Sequence, residues 1–199
     1  LISAAGQSVG KQRELNEDSL FALTTTMAGN SGNLPFGLYV VADGMGGHQF
    51  GEVASNAAIR TVAGLVLKKF HPHLFQVKTE PMEESFQEIM SEAVNEAQRV
   101  IQREAPGSGT TLTAALVMGQ QVTIAHVGDS RCYRVRGDAV SLLTRDHSLV
   151  NDTALSAPWM TEEELRRIPP NVITRALGIQ EDVVVDLRTE PTQSGDVYL

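Results

Sequence analysis

The period of apolar and polar positions changes twice along the chain, which predicts strands, then helices, then strands again. Short apolar or alternating segments bounded by turn residues indicate the strands, and two longer segments with apolar residues at helical spacing indicate amphipathic helices. The predicted helices cover residues 51–70 and 82–104. The predicted strands cover residues 2–9, 19–26, 36–42, 110–118, 122–127, 131–135, 139–143 and 183–187.

Between the last two of these strands lies a polar segment, residues 151–170, which we expect to be loosely folded. It contains a capping box, Thr161 to Glu164, which predicts a short helix that ends at Ile168. Strands, a pair of helices and further strands are typical of an α+β fold with mostly antiparallel sheet. Because two long amphipathic helices must bury their apolar faces, we expect layered sheets flanked by helices.

The bulk composition fits one globular domain and disfavours several classes of partner. The chain has 199 residues, and its formal net charge of −8 and pI ≈ 5.1 argue against nucleic acid and anionic membrane as partners. No apolar run approaches the ~20 residues that span a membrane. Cys132 is the single cysteine, which excludes an internal disulfide framework and favours a reducing, cytoplasmic compartment.

The most informative stretch is VVADGMGGH at residues 40–48, where an apolar strand leads into a glycine-rich turn at Asp43. A buried strand would hold this carboxylate rigidly. Gly44, Gly46 and Gly47 would let the backbone turn sharply and bring a carbonyl oxygen close to the same ligand. Oxygen ligands from side chain, carbonyl and water suit a hard cation, Mg²⁺ or Mn²⁺ rather than zinc.

Two further aspartates lie where predicted strands meet turns. Asp18 ends the string RELNED, and Asp129 lies within VGDSR. Loops at the ends of rigid strands often carry function, and carboxylates gathered there repel one another unless a cation or protons intervene. Asp and Gly at strand ends are also common turn formers, so these residues alone leave both interpretations open.

Six strings together resemble the metal-dependent protein phosphatase family, also called the protein phosphatase 2C or PPM family. They are RELNED, VADGMGGH, SGTTLTAALV, VGDSRCYRV, LTRDHSLV and NVITRALG. They occur in the order, and at about the spacing, of the bacterial serine/threonine phosphatases of this family, and they cover nearly the whole chain. The resemblance implies a β-sandwich of two mostly antiparallel sheets flanked by pairs of antiparallel helices.

The resemblance implies a role for each matching acidic residue. Asp43 is similar to the carboxylate that bridges two metal ions, with the Gly44 carbonyl on one of them. Glu17 and Asp18 resemble the acidic pair that holds metals and their waters. Asp129 is similar to the ligand of a third metal in bacterial members. The implied cofactors are Mn²⁺ or Mg²⁺, at two sites with a third in bacterial members.

The implied chemistry needs no protein nucleophile. Two cations ~3.5–4 Å apart lower the pKa of a bridging water, which attacks phosphorus in line. Arg13 resembles the guanidinium that grips the substrate phosphate, since a planar fork matches phosphate oxygens better than an ammonium does. Cys132 is then a buried strand residue. Met45 stands where eukaryotic relatives carry a histidine, so the leaving group is protonated from elsewhere, and His48 is favoured as a residue that shapes the loop.

Two features of the last third of the chain bear on function. Residues 147–170 resemble a flap beside the active site, in which Trp159 and Met160 are equally consistent with contacts to a peptide and with a small core of the flap. After the apolar end GDVYL, relatives continue with an Asp-Gly and an Asp-Asn string that supply further metal ligands. We therefore expect residues 1–199 to form a single phosphatase-like domain that is incomplete at its C-terminus.

Two functions from different classes stay open at this point. The first is a phosphatase that hydrolyses phosphoserine and phosphothreonine in proteins, opposing a serine/threonine kinase or acting on a phosphorylated regulator. The second is a non-catalytic phosphatase-like module that binds a partner. Arg13, Asp18 and Asp43 favour the enzyme. The end of the chain at Leu199 favours the binding module, and it predicts weak cation binding and poor hydrolysis by this segment alone.

Overall fold

A computed structural model describes residues 1–11, 15–29, 32–46, 50–74 and 82–199. The helices are α1 (Gly51–Leu74), α2 (Phe86–Glu104), α3 (Leu149–Ser156) and α4 (Glu162–Leu165). The strands are β1 (Asp18–Gly29), β2 (Gly32–Met45), β3 (Gly109–Thr110), β4 (Leu112–Met118), β5 (Gln121–Val127), β6 (Tyr133–Arg136), β7 (Ala139–Leu142), β8 (Asp186–Pro191) and β9 (Val197–Tyr198).

The strands form two sheets, which confirms the predicted sandwich. The larger sheet has the order β1-β2-β4-β5-β8, with β3 paired to the end of β2, and the smaller sheet has the order β7-β6-β9. The pairings between these strands are antiparallel. In the larger sheet, β1 with β2 and β4 with β5 are hairpins. The pairing of β2 with β4 spans the two long helices, and the pairing of β5 with β8 spans the smaller sheet strands β6 and β7, so both of these pairings are long-range.

Alternation along β2 separates two hydrophobic cores. Phe36, Leu38, Val40 and Ala42 are buried and belong to the main core, which the larger sheet shares with α1 and α2. Tyr39 belongs to a smaller core that lies between the two sheets. Because successive side chains of a strand point to opposite faces, even-numbered residues of β2 face the helices and odd-numbered residues face away from them.

The two long helices pack against each other and cover one face of the larger sheet. The second helix begins at Phe86, later than predicted, because Ser85 and Glu88 form a capping box that satisfies free backbone N–H groups there. The first helix continues to Leu74, past its predicted end, with Pro72 in the last turns. None of the described helices is long and apolar enough to cross a membrane.

The prediction of a strand at residues 2–9 is wrong. The segment runs beside β1 and is joined to it by side chains: Ser3 Oγ lies 2.7 Å from Thr24 Oγ1, and Gln7 Nε2 donates to Asp18 O at 3.0 Å. Its apolar residues are exposed, Ile2 almost completely. An alternating pattern forms a strand only where a backbone ladder is available, and side-chain contacts alone do not supply one.

The polar segment after the second group of strands also differs from the prediction. Residues 149–156 form the helix α3 instead of loose structure, and Ser148 caps it by accepting a hydrogen bond from Asn151 N at 3.4 Å. No residue of this helix is buried. The capping box at Thr161 and Glu164 is confirmed, although the helix it opens, α4, is only 4 residues long.

Candidate active site

Asp18 and Asp43 lie directly opposite each other at the open end of the β1–β2 hairpin. They are Cα partners in the antiparallel register, and both residues are exposed. Partners in such a pair project from the same face of the sheet, with Cβ atoms ~4.5–5.5 Å apart. By the alternation along β2, this is the face of Tyr39, away from the helices. The register therefore places two carboxylates side by side at one edge of the sandwich.

Gly44 is required because backbone segments from two other places in the chain meet at its α-carbon. A Cβ at this position would overlap the Gly51 carbonyl group and lie 2.5 Å from the Glu17 carbonyl oxygen. Gly44 N donates a hydrogen bond to that Glu17 oxygen at 3.1 Å. The Glu17 carboxylate lies beside Gly51, at the N-terminus of α1, where the helix dipole favours negative charge. The predicted acidic pair is thus divided, with Glu17 at the helix and Asp18 on the open face.

Two buried threonines fix the backbone of Asp43. Asp43 N donates to Thr111 Oγ1 at 3.0 Å, and Asp43 O accepts from Thr111 N and from Thr110 Oγ1, both at 2.9 Å. β-branched residues favour strands in any case, so their sequence indicates only a place in the sheet. Sequence reasoning missed this second role, because the hydrogen bonds join positions more than 60 residues apart.

A cleft of about 280 Å³ lies beside the two aspartates, and Ser130 is among its lining residues. Ser130 Oγ lies 2.8 Å from Thr111 Oγ1, the oxygen that accepts from Asp43 N. Asp129 is half-buried and is not among the lining residues. The structure therefore brings Asp18, Asp43 and Ser130 to one cleft. Asp129 precedes Ser130 in the chain and lies next to this cleft-lining residue.

The donor set at the cleft is of the kind that a hard cation prefers, since carboxylate, hydroxyl and carbonyl oxygens favour Mg²⁺ or Mn²⁺ over zinc. Within the described ranges, no group of three or more histidine, cysteine or acidic side chains is placed to hold a metal ion. Asp18 and Asp43 thus form a pair of carboxylates that could hold a metal ion, and they do not make a complete coordination shell by themselves. Arg13 and His48 lie outside the described residues.

Comparison with known proteins identifies the family. The family described as protein phosphatase 2C matches residues 2–154. The chain belongs to the protein phosphatase 2C family. Membership of this family agrees with the sandwich of sheets. It also agrees with the candidate site at the β1–β2 hairpin, which includes residues of two of the six strings that resemble the family, RELNED and VADGMGGH.

Relatives of this protein phosphatase 2C chain include bacterial serine/threonine phosphatases. Serine/threonine phosphatase stp of Listeria innocua is 37% identical over 163 residues, which are 81% of this chain and 64% of that protein. The crystal structure of the Mycobacterium tuberculosis serine/threonine phosphatase PstP/Ppp matches with a TM-score of 0.71 at 31% identity, covering 95% of this chain and 72% of that one. The PstP catalytic domain in complex with two manganese ions matches with a TM-score of 0.68 at 31% identity, covering 95% and 71%. The chain thus spans about two thirds of their length.

A second polar group of this phosphatase 2C chain was not predicted from the sequence. His147 is completely buried; its Nδ1 accepts from Gly128 N at 3.0 Å, and its Nε2 lies 3.2 Å from Asp186 Oδ2. Arg175 Nη1 lies 3.1 Å from Asp186 Oδ1. Burial lowers the pKa of His147, although the hydrogen bond to Asp186 acts in the opposite direction. His126, whose ring centroid is 5.0 Å away, has its pKa lowered by burial and by the charge of His147.

Two other predictions concern Cys132 and the flap. Cys132 is buried in the core between the sheets, as predicted, and burial raises the pKa of its thiol to about 11. It lies just before β6 and not within a strand, so that part of the prediction is wrong. In the flap, Trp159 is 78% exposed and Met160 is half-buried. The indole therefore does not form a core of the flap, and contact with a peptide is the alternative that its exposure favours.

Proposed function

We propose that this protein is a metal-dependent protein phosphatase that hydrolyses phosphoserine and phosphothreonine. The observation that carries the proposal is the pairing of Asp18 with Asp43 beside the cleft. Two carboxylates held directly opposite each other at a cleft offer oxygen ligands to one shared cation, and metal binding accounts for their placement in one register. The names of the relatives, which are serine/threonine phosphatases, support the same activity rather than a non-catalytic module.

In the proposed site, Asp43 and Asp18 hold the metal ions, and the Gly44 carbonyl is a further ligand. Manganese or magnesium, when bound, lowers the pKa of a water molecule and neutralises charge on the phosphoryl group. The manganese in the PstP complex supports Mn²⁺ as the first candidate. Thr110 and Thr111 keep Asp43 in place by hydrogen bonds to both of its backbone polar groups. Such fixed placement is what a metal ligand needs from the residues around it.

Three further roles belong to the same proposal. Arg13 would bind the substrate phosphate, because a guanidinium offers a planar pair of donors to two phosphate oxygens. Asp129, next to the cleft-lining Ser130, would bind a third metal ion. Glu17 would hold a metal ion or one of its water molecules from the helix side of Gly44, where its carboxylate lies beside the N-terminus of α1. Residues 147–170, with the exposed Trp159, would form the flap that contacts the substrate protein.

The setting of the reaction is part of the proposal. The substrate class is a phosphoprotein, and the partner is a serine/threonine kinase whose products this enzyme reverses, or a phosphorylated regulator. The acidic charge of the chain supports a protein partner over nucleic acid. The single, buried cysteine fits a reducing compartment, and we propose the cytoplasm. Residues 1–199 would belong to one phosphatase domain.

Hydrolysis of p-nitrophenyl phosphate and of a phosphothreonine peptide tests the proposal. The full-length gene product is expected to need Mn²⁺ or Mg²⁺ and to lose its activity with a chelator. Asp43→Asn should lower kcat/KM by more than about 100-fold, since the loss of an outer-shell partner alone costs ~10- to 100-fold. Asp138→Asn is the matched control, because Asp138 is an exposed turn residue between β6 and β7.

Two results would contradict the proposal. The first is a protein that is fully folded and inert with either metal, which would leave the non-catalytic module. The second is an Asp43→Asn variant that keeps the activity of the Asp138→Asn control. Calorimetric titration of Mn²⁺ into the same variants separates the loss of metal binding from the loss of a later step.

A further inference from the structure

The turn at Gly128 is held on both sides by a single residue. Gly128 N donates to His147 Nδ1 at 3.0 Å, and His147 N donates to Gly128 O at 2.7 Å. The turn needs glycine, because its φ is +113° and a Cβ would lie 2.6 Å from Thr111 Cβ. The strand β5 ends at Val127, so the turn depends on such contacts. The His147 ring supplies one of them and the His147 backbone another, and Thr113 Oγ1 donates to Ser130 O at 3.3 Å further along.

The contacts of the ring fix its tautomer. Because Nδ1 accepts from Gly128 N, the proton of the neutral imidazole is on Nε2. Nε2–H then donates to Asp186 Oδ2 at 3.2 Å. Arg175 Nη1 lies 3.2 Å from the same Nε2 but has no acceptor to offer it, and it donates to the other oxygen of Asp186 at 3.1 Å. The side chain of His147 is inaccessible to solvent, so Asp186 and Arg175 orient a ring that water cannot reach.

The turn leads directly to the cleft. Asp129 follows Gly128, and Ser130, which lines the cleft, contacts Thr111 Oγ1 at 2.8 Å. The same Thr111 oxygen accepts from Asp43 N at 3.0 Å. A movement of the turn would thus displace Asp129 and Ser130, and it would disturb the hydroxyl that anchors Asp43.

We propose that His147 is a positioning residue, which clamps the Gly128 turn through its Nδ1 and so keeps Asp129 and Ser130 at the rim of the cleft. The ring itself touches neither the cleft nor the two aspartates that line it. The consequence for metal affinity rests on the function proposed above, whereas the clamp itself does not. Asp186 and Arg175 act on the turn through His147, because they stabilise the tautomer in which its Nδ1 accepts a hydrogen bond.

Amide hydrogen exchange tests the clamp directly. His147→Phe keeps a ring but removes the acceptor, and Gly128 N–H should exchange at least tenfold faster, relative to the amide of Ile124 in the middle of β5, which reports global unfolding. His147→Asn puts an acceptor oxygen the same number of bonds from Cβ and should restore most of the protection. Thr123→Val is the control, because it removes a part-buried hydrogen bond between β5 and β8 that does not involve the turn.

Asp186→Ala covers the case in which the phenylalanine variant does not fold, since the Asp186 side chain is 41% exposed. It should speed the exchange of Gly128 severalfold by releasing the ring. Gly128 exchange that tracks Ile124 in His147→Phe and in Asp186→Ala would overturn the clamp. This result is independent of activity, so it decides the proposal even if the protein proves inert and the proposed function fails.

The link to the metal is tested by a double-mutant cycle with Asp129→Asn. If the clamp acts through Asp129, His147→Phe should raise the half-saturating Mn²⁺ concentration severalfold in the wild-type background and change it little in Asp129→Asn. His147→Asn should stay close to wild type. Effects of His147→Phe and Asp129→Asn that multiply would show two independent contributions and would overturn positioning through Asp129.

Discussion

Two acidic sites in this fold differ in what the protein places next to the carboxylate. Asp186 lies 3.1 Å from Arg175 and 3.2 Å from His147. Burial acts to raise the pKa of Asp186, but the hydrogen bond from His147 and the charge of Arg175 outweigh it, and the pKa is lowered. Asp18 and Asp43, by contrast, are set opposite each other as like charges on an open face. The contacts with Arg175 and His147 stabilise the ionised Asp186 within the fold, whereas the register of Asp18 and Asp43 places two carboxylates where one bound cation can contact both.

The largest effect on activity and stability is expected from Gly44→Ala, because the substitution pushes the paired carboxylates of Asp18 and Asp43 out of place. The new Cβ would overlap the backbone of Gly51 and Glu17, which cannot move aside as a side chain can. We expect loss of activity and a fall in the free energy of unfolding of about 3 kcal/mol, the upper range for overpacking. Urea unfolding with p-nitrophenyl phosphate assays measures both.

Gly64→Ala is the matched control for that variant. Gly64 lies on the exposed side of α1, and nothing lies within 4 Å of a Cβ added there. Alanine should stabilise this helix by about 0.5–1 kcal/mol and leave activity intact. A Gly44→Ala protein as stable as wild type would mean that the close approach of the three backbone segments is not required.

Thr111→Val removes the hydroxyl that anchors Asp43 and keeps the shape of the side chain. It leaves Asp43 N and Ser130 Oγ without this partner, so we expect a loss of about 1–3 kcal/mol in stability. Activity should fall roughly 10- to 100-fold, because small displacements of a reacting group have effects of this size. Thr111→Ser should recover both quantities. Equal activity in the valine and serine variants would show that the hydroxyl does not position Asp43.

As the pH falls, the stability contributed by the buried His126 and His147 should be lost before the stability contributed by Asp186. The folded-state pKa of His126 and of His147 is lowered below the ordinary 6.5, mainly by burial. Each ring therefore contributes stability above pH 6.5, and this contribution is lost as the pH falls because the unfolded chain takes up the proton first. The loss is at most about 1.4 kcal/mol per pH unit for each histidine.

Urea midpoints at pH 7.5 and pH 5.5 measure this dependence. The slope of the free energy of unfolding against pH gives the number of protons taken up on unfolding. His147→Asn should lower that number by about one, since asparagine does not titrate. Asp186 contributes at a lower pH, because a lowered carboxyl pKa gives stability that is lost only as the pH falls below the ordinary value of 3.8. An identical midpoint at both pH values would contradict the assignment of two neutral, buried imidazoles.

The smallest effect is expected from Asp18→Asn, measured without divalent cation. Removing one of two like charges at directly paired positions should raise the free energy of unfolding by about 0.2–1 kcal/mol. Added Mn²⁺ should reverse the order, because wild type gains the ligand and the variant has lost half of the pair. Thermal unfolding with and without Mn²⁺ provides the measurement, with Asp138→Asn as the control. A variant that is no more stable than this control in the absence of metal would contradict the repulsion.

What the sequence predicted and what it did not has a physical basis. Local signals predicted the β1–β2 hairpin, both long helices and Asp43 at a strand end, because apolar period and turn residues are properties of neighbouring positions. The anchoring of Asp43 by Thr111 and the contact of His147 with Gly128 join residues 68 and 19 positions apart. Such contacts depend on which strands become neighbours, and no local pattern specifies this.

The errors have the same origin. Residues 2–9 alternate like a strand, but the described chain offers them side-chain contacts and no ladder. The helix α3 was missed because its 8 residues are too few to repeat an apolar pattern over several turns, which leaves the cap at Ser148 as its main local signal. Glu17 and Asp18 were predicted as one acidic pair. The Glu17 carboxylate lies beside the N-terminus of α1 and Asp18 lies on the open face, and their roles toward metal ions stay a prediction.

Because of the register of the β1–β2 hairpin, the effect of an insertion on the candidate site depends on where in the hairpin it falls. The strand β1 is 12 residues long, so the paired aspartates lie about 36 Å from the turn at ~3.3 Å per residue. Residues added symmetrically at the turn would lengthen the far end and leave Asp18 opposite Asp43. A single residue inserted into one strand would move one aspartate to the helix face, since the side-chain period is 2. Residues added evenly between the two strands are therefore expected to preserve the pairing of the two aspartates, whereas a single insertion within either strand is not.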